Sequence, residues 1–266
     1  MVPVADIGAP GAAEIGELLR QCQVRNYAIL RCEQPPADPA AALVAFARAV
    51  GLESPDRNLC SAEDGLTPIT VRDTGTDNRY IPYTDRPLGW HTDGYYNPAD
   101  FQVRAWLLYC AQPAAEGGDN ELLDHEIAYI RLRDQNPEWI RALMAPDALT
   151  IPPNMESGGE RPAQSGPVFS VSPSDGTLHM RYSARQRNVV WKDDPVTREA
   201  AEALLDLFRR GDPHVVRHRL QRGEGILSNN VLHRRDGFRD DPAGQVRRLL
   251  FRARYYRRLP EPPAPA

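Results

Sequence analysis

The chain has 266 residues, a formal net charge of -4 and a sequence pI of about 5.9. That length supports one large domain with a substantial core, and the acidic balance argues against nucleic acid or an anionic membrane as the main partner. The cysteines, Cys22, Cys32, Cys60 and Cys110, form no CxxC pair, which favours reduced thiols in a cytoplasmic protein. We expect no signal peptide and no membrane helix, because no stretch approaches the ~20 apolar residues that a membrane helix needs.

Hydrophobic periodicity and residue composition predict many short strands and a few helices. In chain order, the predicted helices are residues 11–22, 39–52, 125–133, 137–144 and 196–210, and the predicted strands are residues 27–31, 68–72, 102–111, 168–171, 177–182, 225–229 and 246–257. Short strands with peripheral helices are typical of a barrel or jelly roll. We therefore expect one α+β, mainly β domain over residues 1–258, followed by a disordered proline-rich tail at 259–266.

A long loop is predicted around the strand at 68–72. Residues 53–90 are otherwise rich in Asp, Gly, Pro and Thr, and a loop of this length in a compact domain is often functional. The segment 74–88 is therefore either a mobile lid or a plain surface loop.

His91 and Asp93 are the residues with the clearest chemical meaning. On a strand, residues i and i+2 project to the same side, so both side chains can point at one ion while Thr92 turns away. A His-x-Asp pair alone is weak evidence, and it needs a third ligand from elsewhere. The best candidate is His233, which follows the predicted strand at 225–229. Two imidazoles and a carboxylate are the ligand set of non-haem ferrous oxygenases, and they leave coordination positions open.

Other histidines compete with His233 for the third position. His125 and His214 lie in or beside predicted helices and are expected at the surface, whereas His179 on the predicted strand at 177–182 is a more serious competitor. Zinc can also bind two histidines and an aspartate, so the metal is not fixed by the ligands alone.

The last predicted strand carries an unusual row of arginines. Strand alternation puts Arg248, Arg252 and Arg254 on one face and mostly apolar residues on the other. Guanidinium groups inside a barrel are costly unless anions pair with them; the alternative is a solvated outer face with surface salt bridges. With the His-x-Asp motif upstream, we favour ligand binding for Arg248 and Arg252 and a structural role for Arg254.

Five motifs of this chain occur in the order found in the taurine dioxygenase and γ-butyrobetaine hydroxylase superfamily. They are Trp90-His91-Thr92-Asp93, Gly117-Gly118-Asp119-Asn120, Met180-Arg181-Tyr182-Ser183 with Arg185 or Arg187, Asn230-Val231-Leu232-His233, and the run from Arg247 and Arg248 to Arg252. Each is modest alone, but five in register are specific. Over roughly residues 65–257 the chain therefore resembles a member of this superfamily.

The resemblance implies a double-stranded β-helix, or jelly roll, that uses Fe(II), 2-oxoglutarate and O2. It implies three iron ligands, His91, Asp93 and His233. It also implies that Arg248 binds the distal carboxylate of 2-oxoglutarate, that Asn120 stands where many members use threonine for that carboxylate, and that Arg252 contacts the other end of the co-substrate or an anionic substrate group. The turn at 234–244 is longer than in taurine dioxygenase, so Arg247 stays an alternative to Arg248.

We therefore predict a dioxygenase that hydroxylates a small polar metabolite, anionic or zwitterionic, with release of succinate and CO2. The expected partner is this small molecule, with no nucleic acid and no membrane, and the formation of a homo-oligomer stays open. Arg181, Arg185 and Arg252 are candidates for a carboxylate or sulfonate of the substrate. Several aromatic residues either pack in the core or form a cage for a quaternary ammonium group: Tyr83, Tyr95, Tyr96, Tyr182 and Trp191.

Two other classes of protein are compatible with the same residues. One is a non-catalytic, cupin-like sensor that binds the metal and a ligand without turnover. The other is a zinc-dependent hydrolase, which would need a general acid or base near the metal, such as Glu224 or Asp236.

Overall fold

The computed structural model describes residues 1–56, 64–72, 80–155, 160–241, 243 and 247–262. In these ranges the helices are α1 (Ala12–Arg25), α2 (Pro39–Ala49), α3 (His125–Gln135), α4 (Pro137–Leu143) and α5 (Pro195–Arg210). The strands are β1 (Val2–Val4), β2 (Tyr27–Cys32), β3 (Thr67–Ile69), β4 (Leu88–His91), β5 (Ala105–Gln112), β6 (Glu116–Gly117), β7 (Asn120–Leu123), β8 (Leu149–Ile151), β9 (Gln164–Gly166), β10 (Phe169–Val171), β11 (Leu178–Met180), β12 (Val190–Trp191), β13 (Val216–His218), β14 (Glu224–Ser228), β15 (Leu232–Arg235), β16 (Phe238–Arg239) and β17 (Leu249–Tyr255). Cys60 lies outside the described ranges. So do residues 74–79 of the segment 74–88, which the sequence left as either a lid or a surface loop.

Two sheets form the centre of the fold. The larger has the strand order β1-β2-β14-β5-β17-β3, and the smaller has the order β13-β7-β15-β4. All pairs in them are antiparallel except β1 with β2. The two sheets share an inner core, in which Trp106, Ile226 and Leu250 of the larger sheet lie in one cluster with Leu122 of the smaller. This is the two-sheet arrangement of a jelly roll.

Helices cover the outer faces of both sheets. Helices α1 and α2 pack on the larger sheet, where Leu18, Phe46 and Ala253 belong to one cluster. Helices α3, α4 and α5 pack on the smaller sheet, where Trp90 and Leu232 contact the helical side chains. Successive residues of a strand point to opposite faces of the sheet. Since Trp90 and Leu232 face the helices on the outer side, the next residues, His91 and His233, face the inner side.

The end of the chain docks on the domain. Leu259, the first residue of the predicted tail, is buried, and its backbone N–H donates to Oδ1 of Asn229 at 3.2 Å. The guanidinium of Arg258 also donates to Oδ1 of Asn26. Residues 263–266 lie outside the described part, so the disorder predicted for the tail stays a prediction.

The sequence missed several short strands and misplaced one histidine. The missed strands have two or three residues each: β1, β8, β9, β12 and β13. Such short strands form because they pair with neighbouring strands, not because of their local sequence propensity. The prediction that His125 lies at the surface is wrong, because it is buried and its Nε2 lies 3.0 Å from the carbonyl oxygen of Leu178. Burial lowers the pKa of His125, which favours a neutral side chain.

Candidate active site

His91 and His233 are neighbours across two paired strands. His91 is the last residue of β4, and its Cα partner in the antiparallel ladder is His233 on β15. The ring centroids are 4.2 Å apart. Nδ1 of His91 lies 2.9 Å from the carbonyl oxygen of Gly89, and Nδ1 of His233 lies 3.0 Å from that of Val231. A proton on each Nδ1 satisfies these carbonyls and leaves the Nε2 lone pairs free to bind a metal.

Asp93 is held by the side chain of Asn230. Strand β4 ends at His91, so the strand geometry assumed from the sequence does not extend to Asp93. Instead, the backbone N–H of Asp93 donates to Oδ1 of Asn230 at 2.8 Å, and Nδ2 of Asn230 donates to the carbonyl oxygens of Asp93 at 3.0 Å and Val103 at 2.7 Å. Asn230 itself has a φ of 60°, a left-handed conformation that asparagine tolerates better than most residues. Sequence reasoning included it in a motif but assigned it no role.

The three side chains together form a candidate metal centre. One potential ligand atom from each of His91, Asp93 and His233 lies within 4.8 Å of the other two. Asp93 Oδ1 accepts from Nη1 of Arg252 at 3.2 Å, whereas Oδ2 is buried and has no hydrogen-bond partner among the described residues. A buried carboxylate oxygen without a donor fits a bound cation.

The protonation states of these ligands also suit a divalent metal. Burial raises the pKa of the Asp93 carboxyl, but the charge of Arg252 and the contact with His91 outweigh it and hold that pKa well below its ordinary value. Burial, aided by His91, lowers the pKa of His233 to about 3. At neutral pH the site therefore contains an anionic carboxylate and a neutral His233, which are the forms that bind metal.

A small cavity at the start of β7, the strand that pairs with the strand of His233, is lined by unpartnered donors. Arg248 is buried and its Nη1 has no hydrogen-bond partner among the described residues, and the same is true of Nδ2 of Asn120. Both residues line the cavity together with Gly117, Gly118 and Arg219. Burial lowers the pKa of Arg248 to about 10, so it is still cationic at neutral pH. An anion such as a carboxylate, bound in this cavity, would accept hydrogen bonds from these buried donors.

The turn at Gly117 gives this cavity its shape. Gly117 has a φ of 69°, and a Cβ there would lie 2.4 Å from the carbonyl oxygen of Gly237. Only glycine avoids both the conformational cost and this clash. Because the backbones of Gly117 and Gly237 approach closely, β6 pairs with β16. This pairing holds the ring of Phe238 over Arg248, with 4.7 Å between the ring centroid and Cζ.

The structure distinguishes the two arginines that the sequence left open. Arg248 is buried in the cavity wall, whereas Arg247 is exposed. A residue that the sequence analysis missed, Arg219, lines the same cavity; its Nη2 donates to the carbonyl oxygens of Ala114 at 2.7 Å and Ala115 at 2.9 Å, and its Nε has no partner among the described residues. It lies just beyond β13, a strand that no sequence pattern marked.

Other arginines near the site are structural. Arg254, for which alternation favoured a structural role, pairs with buried Asp56 and donates to the hydroxyl of Tyr96 at 2.9 Å. Arg181, a candidate for binding substrate, donates instead to backbone carbonyl oxygens, those of Leu149, Gln164, Gly166, Pro167 and Tyr95. Its guanidinium therefore joins chain segments and has no free edge for a ligand.

The proposed aromatic cage is not assembled. Tyr83 lies in the core between the sheets, whereas Tyr182 packs against Trp191 and Phe208 in the core under the helices. Tyr96 is occupied by Arg254. Tyr83 lies apart from the other four aromatic residues, which belong to the core under the helices or pack against it, so the structure favours the core alternative.

The acid or base that a zinc hydrolase would need is also engaged elsewhere. Glu224 lies 2.8 Å from Nε2 of His218, and Asp236 pairs with Arg217 at 2.8 Å and with Arg234 at 3.7 Å. Neither carboxylate is available at the metal centre.

Comparison with known proteins agrees with this geometry. The model of the family described as "Taurine catabolism dioxygenase TauD, TfdA family" matches residues 2–254. A uridine-5'-phosphate dioxygenase of Streptomyces sp is 32% identical over 199 residues, which cover 71% of this chain and 69% of that protein. One of Amycolatopsis sp is 31% identical over 175 residues, which cover 62% of this chain and 60% of that protein.

Solved structures show the same fold. An asparagine oxygenase in complex with Fe(II), a hydroxyasparagine and succinate has a TM-score of 0.64 at 21% identity, over 92% of this chain and 78% of the other. The non-heme iron oxygenase OrfP, in complex with Fe, succinate and a hydroxyarginine, has a TM-score of 0.66 at 18% identity, over 92% and 82%. The predicted jelly roll is thereby confirmed. None of the helices in the described ranges is both long and apolar enough to cross a membrane. The chain belongs to the TauD, TfdA family and is an Fe(II)- and 2-oxoglutarate-dependent dioxygenase.

Proposed function

We propose that this enzyme binds Fe(II) through His91, Asp93 and His233 and hydroxylates a small anionic metabolite. The observation that supports this most strongly is the meeting of three metal-ligand atoms in a domain that also has a cavity lined by unpartnered cationic and amide donors. When bound, iron together with 2-oxoglutarate and O2 supplies the oxidant, and succinate and CO2 are released.

The protein contributes binding, orientation and exclusion of water. Arg248 and Asn120 hold the distal carboxylate of 2-oxoglutarate, and Arg252 orients Asp93 through its contact with Oδ1. Trp106, with its ring 4.8 Å from that of His233, closes the inner side of the site against water.

The substrate that we propose is a small metabolite with a negatively charged group, and a nucleoside 5'-phosphate is the first choice. Two relatives more than 30% identical to this chain are named uridine-5'-phosphate dioxygenases, and the fold neighbours act on or bind amino acids. We also propose that the enzyme is cytoplasmic, since Cys22, Cys32 and Cys110 are free and buried. A homo-oligomer stays a prediction, which analytical ultracentrifugation would test.

The direct test is turnover with Fe(II), 2-oxoglutarate and O2 on a panel of uridine 5'-phosphate, uridine and single amino acids. Succinate formation is measured beside the mass of the product. We expect succinate and an oxidised product in equal amounts with a phosphate-bearing or otherwise anionic compound, and none with uridine. Equal turnover of uridine would contradict the substrate proposal, and iron-loaded enzyme without succinate on any compound would contradict the assigned activity.

A further inference from the structure

A chain segment beside the metal motif carries a second group of arginines. Ser183 is the Cα partner of His91 in an isolated antiparallel bridge, and the N–H of Ala184 donates to the carbonyl oxygen of Trp90 at 2.8 Å. Paired residues of neighbouring strands share a face, so Ser183 is on the same face as His91. Ala184 and Trp90 both belong to the core under the helices. Arg185 follows Ser183 by two residues in extended conformation, so strand alternation favours the face of His91 for its side chain.

Arg185 has no acidic partner among the described residues. Three groups act electrostatically on its guanidinium: the hydroxyl of Tyr95 and the guanidiniums of Arg187 and Arg86. Burial, followed by these two cations, lowers the pKa of Arg185, while Tyr95 opposes the effect. Tyr95 follows Asp93 by two residues, and its hydroxyl accepts from Nδ2 of Asn188 at 3.4 Å. The arginine segment is thus fastened to the loop that follows the metal motif.

Several arginines elsewhere on this protein are neutralised by carboxylates. Arg217 and Arg234 share Glu121 and Asp236, and Arg131 pairs with Asp212 at 2.7 Å. In the described part of the chain no ion pair neutralises Arg86, Arg185 or Arg187, although Arg185 is half-buried. Three like charges without a counter-charge repel one another, and a surface of one sign attracts ligands of the opposite sign.

We propose that Arg185, flanked by Arg86 and Arg187, forms a subsite that holds the phosphate of a phosphate-monoester substrate above the metal centre. This inference rests on the proposed function, because it supplies the binding group for the substrate of the same site. Planar guanidiniums bind phosphate oxygens in pairs, and a phosphate dianion supplies more of the missing charge than a carboxylate does.

The subsite is separate from the cavity assigned to the co-substrate. Arg248 faces the cavity at the GGDN turn, whereas Arg185 follows the strand segment on the other side of β4. Two anions can therefore be bound by different arginines at the same time. Removal of Arg185 should weaken binding of the phosphate substrate without weakening binding of 2-oxoglutarate.

The experiment uses the full chain loaded with Fe(II) and 2-oxoglutarate without oxygen, and measures binding of uridine 5'-phosphate and of inorganic phosphate by calorimetry. The variants are Arg185→Gln, Arg185→Lys and the double variant Arg86→Gln with Arg187→Gln. The control is Arg210→Gln, an exposed arginine on α5 that lies 3.4 Å from Asp206. The absorption of the iron-bound keto acid is recorded for every protein.

We expect about a tenfold or greater loss of affinity for uridine 5'-phosphate in Arg185→Gln, since charge-assisted hydrogen bonds are lost, with partial rescue in Arg185→Lys. The double variant should show a smaller loss, and Arg210→Gln none. Affinity unchanged in Arg185→Gln and in the double variant, with the keto-acid absorption intact, would overturn the subsite alone. Absence of that absorption in the unmodified enzyme would instead overturn the proposed function on which it rests.

Discussion

The candidate metal centre and the cavity that we propose for the co-substrate are built by different means. His91 and His233 face each other because two strands pair in a fixed register. The cavity forms because the turn at Gly117 and Gly118 and the segment just before β17 bring Asn120 and Arg248, which are distant in sequence, to the same place. Strand register should make the two histidines tolerant of changes outside the ligands, whereas Asp93 depends on Asn230 and the cavity should respond to changes in turn geometry. The predictions below test this difference, beginning with the largest effect.

Replacement of a metal ligand should have the largest effect. His91→Ala or Asp93→Ala should abolish iron binding and activity, because each removes one of only three ligands. The thermal midpoint of the metal-free protein should change little for His91→Ala. Iron content, turnover and circular dichroism measure these effects, and full activity in both variants would contradict the assigned metal centre.

Replacement of Arg248 should affect the co-substrate rather than the metal. Arg248→Ala should raise the KM for 2-oxoglutarate by about ten- to a hundredfold, the range expected for loss of charge-assisted hydrogen bonds, with iron affinity nearly unchanged. Arg247→Ala is the matched control, since Arg247 is exposed. A larger KM effect in the control would show that the co-substrate uses the neighbouring arginine.

Asn230 should act on the metal through Asp93. Asn230→Ala removes the hydrogen bonds to both the N–H and the carbonyl of Asp93, so we expect about a tenfold or greater loss of iron affinity, as for other residues that orient a ligand. Asn230→Asp retains an acceptor for the Asp93 N–H but loses the donor. The iron affinity of the folded Asn230→Asp protein should therefore lie between those of Asn230→Ala and the unmodified enzyme. Iron affinity equal to that of the unmodified enzyme in Asn230→Ala would remove this positioning role.

Two glycines provide a paired test of the turn at the cavity. Gly117 and Gly176 have φ values of 69° and 70°, but a Cβ would clash at Gly117 and meets no atom within 4 Å at Gly176. Both alanine variants should lose about 1–3 kcal/mol of unfolding free energy from the backbone conformation. Only Gly117→Ala should also raise the KM for 2-oxoglutarate, by a few-fold. Equal KM values for the two variants would show that the turn does not shape the cavity.

The sequence predicted best the features that follow strand periodicity. His91 and His233 were recognised from short motifs, and alternation along the last strand put Arg248, Arg252 and Arg254 on the inner face. The structure places these side chains on shared faces of their strands, because a period of two fixes the face of a residue once its strand is identified. The number and shortness of the strands predicted a barrel or a jelly roll, and the family resemblance favoured the jelly roll.

Features that depend on tertiary contacts were beyond the sequence. The choice between Arg247 and Arg248 depends on the turn before β17 and on a register shift between Leu249 and Leu250, and neither has a local pattern. Burial of His125 follows from helix α3 packing on β11, and the structural role of Arg181 follows from carbonyl groups of separate segments. Asn230 likewise gains its role only when its loop folds against Asp93.

The measurement that tests the central claim most directly is an anaerobic titration of the metal-free protein with Fe(II), followed by 2-oxoglutarate, observed in the visible range. We predict a weak charge-transfer band when the keto acid chelates iron, absent in Asp93→Ala and shifted to higher 2-oxoglutarate concentration in Arg248→Ala. Iron that binds without producing this band would contradict the co-substrate cavity, and a failure to bind iron would contradict the metal centre itself.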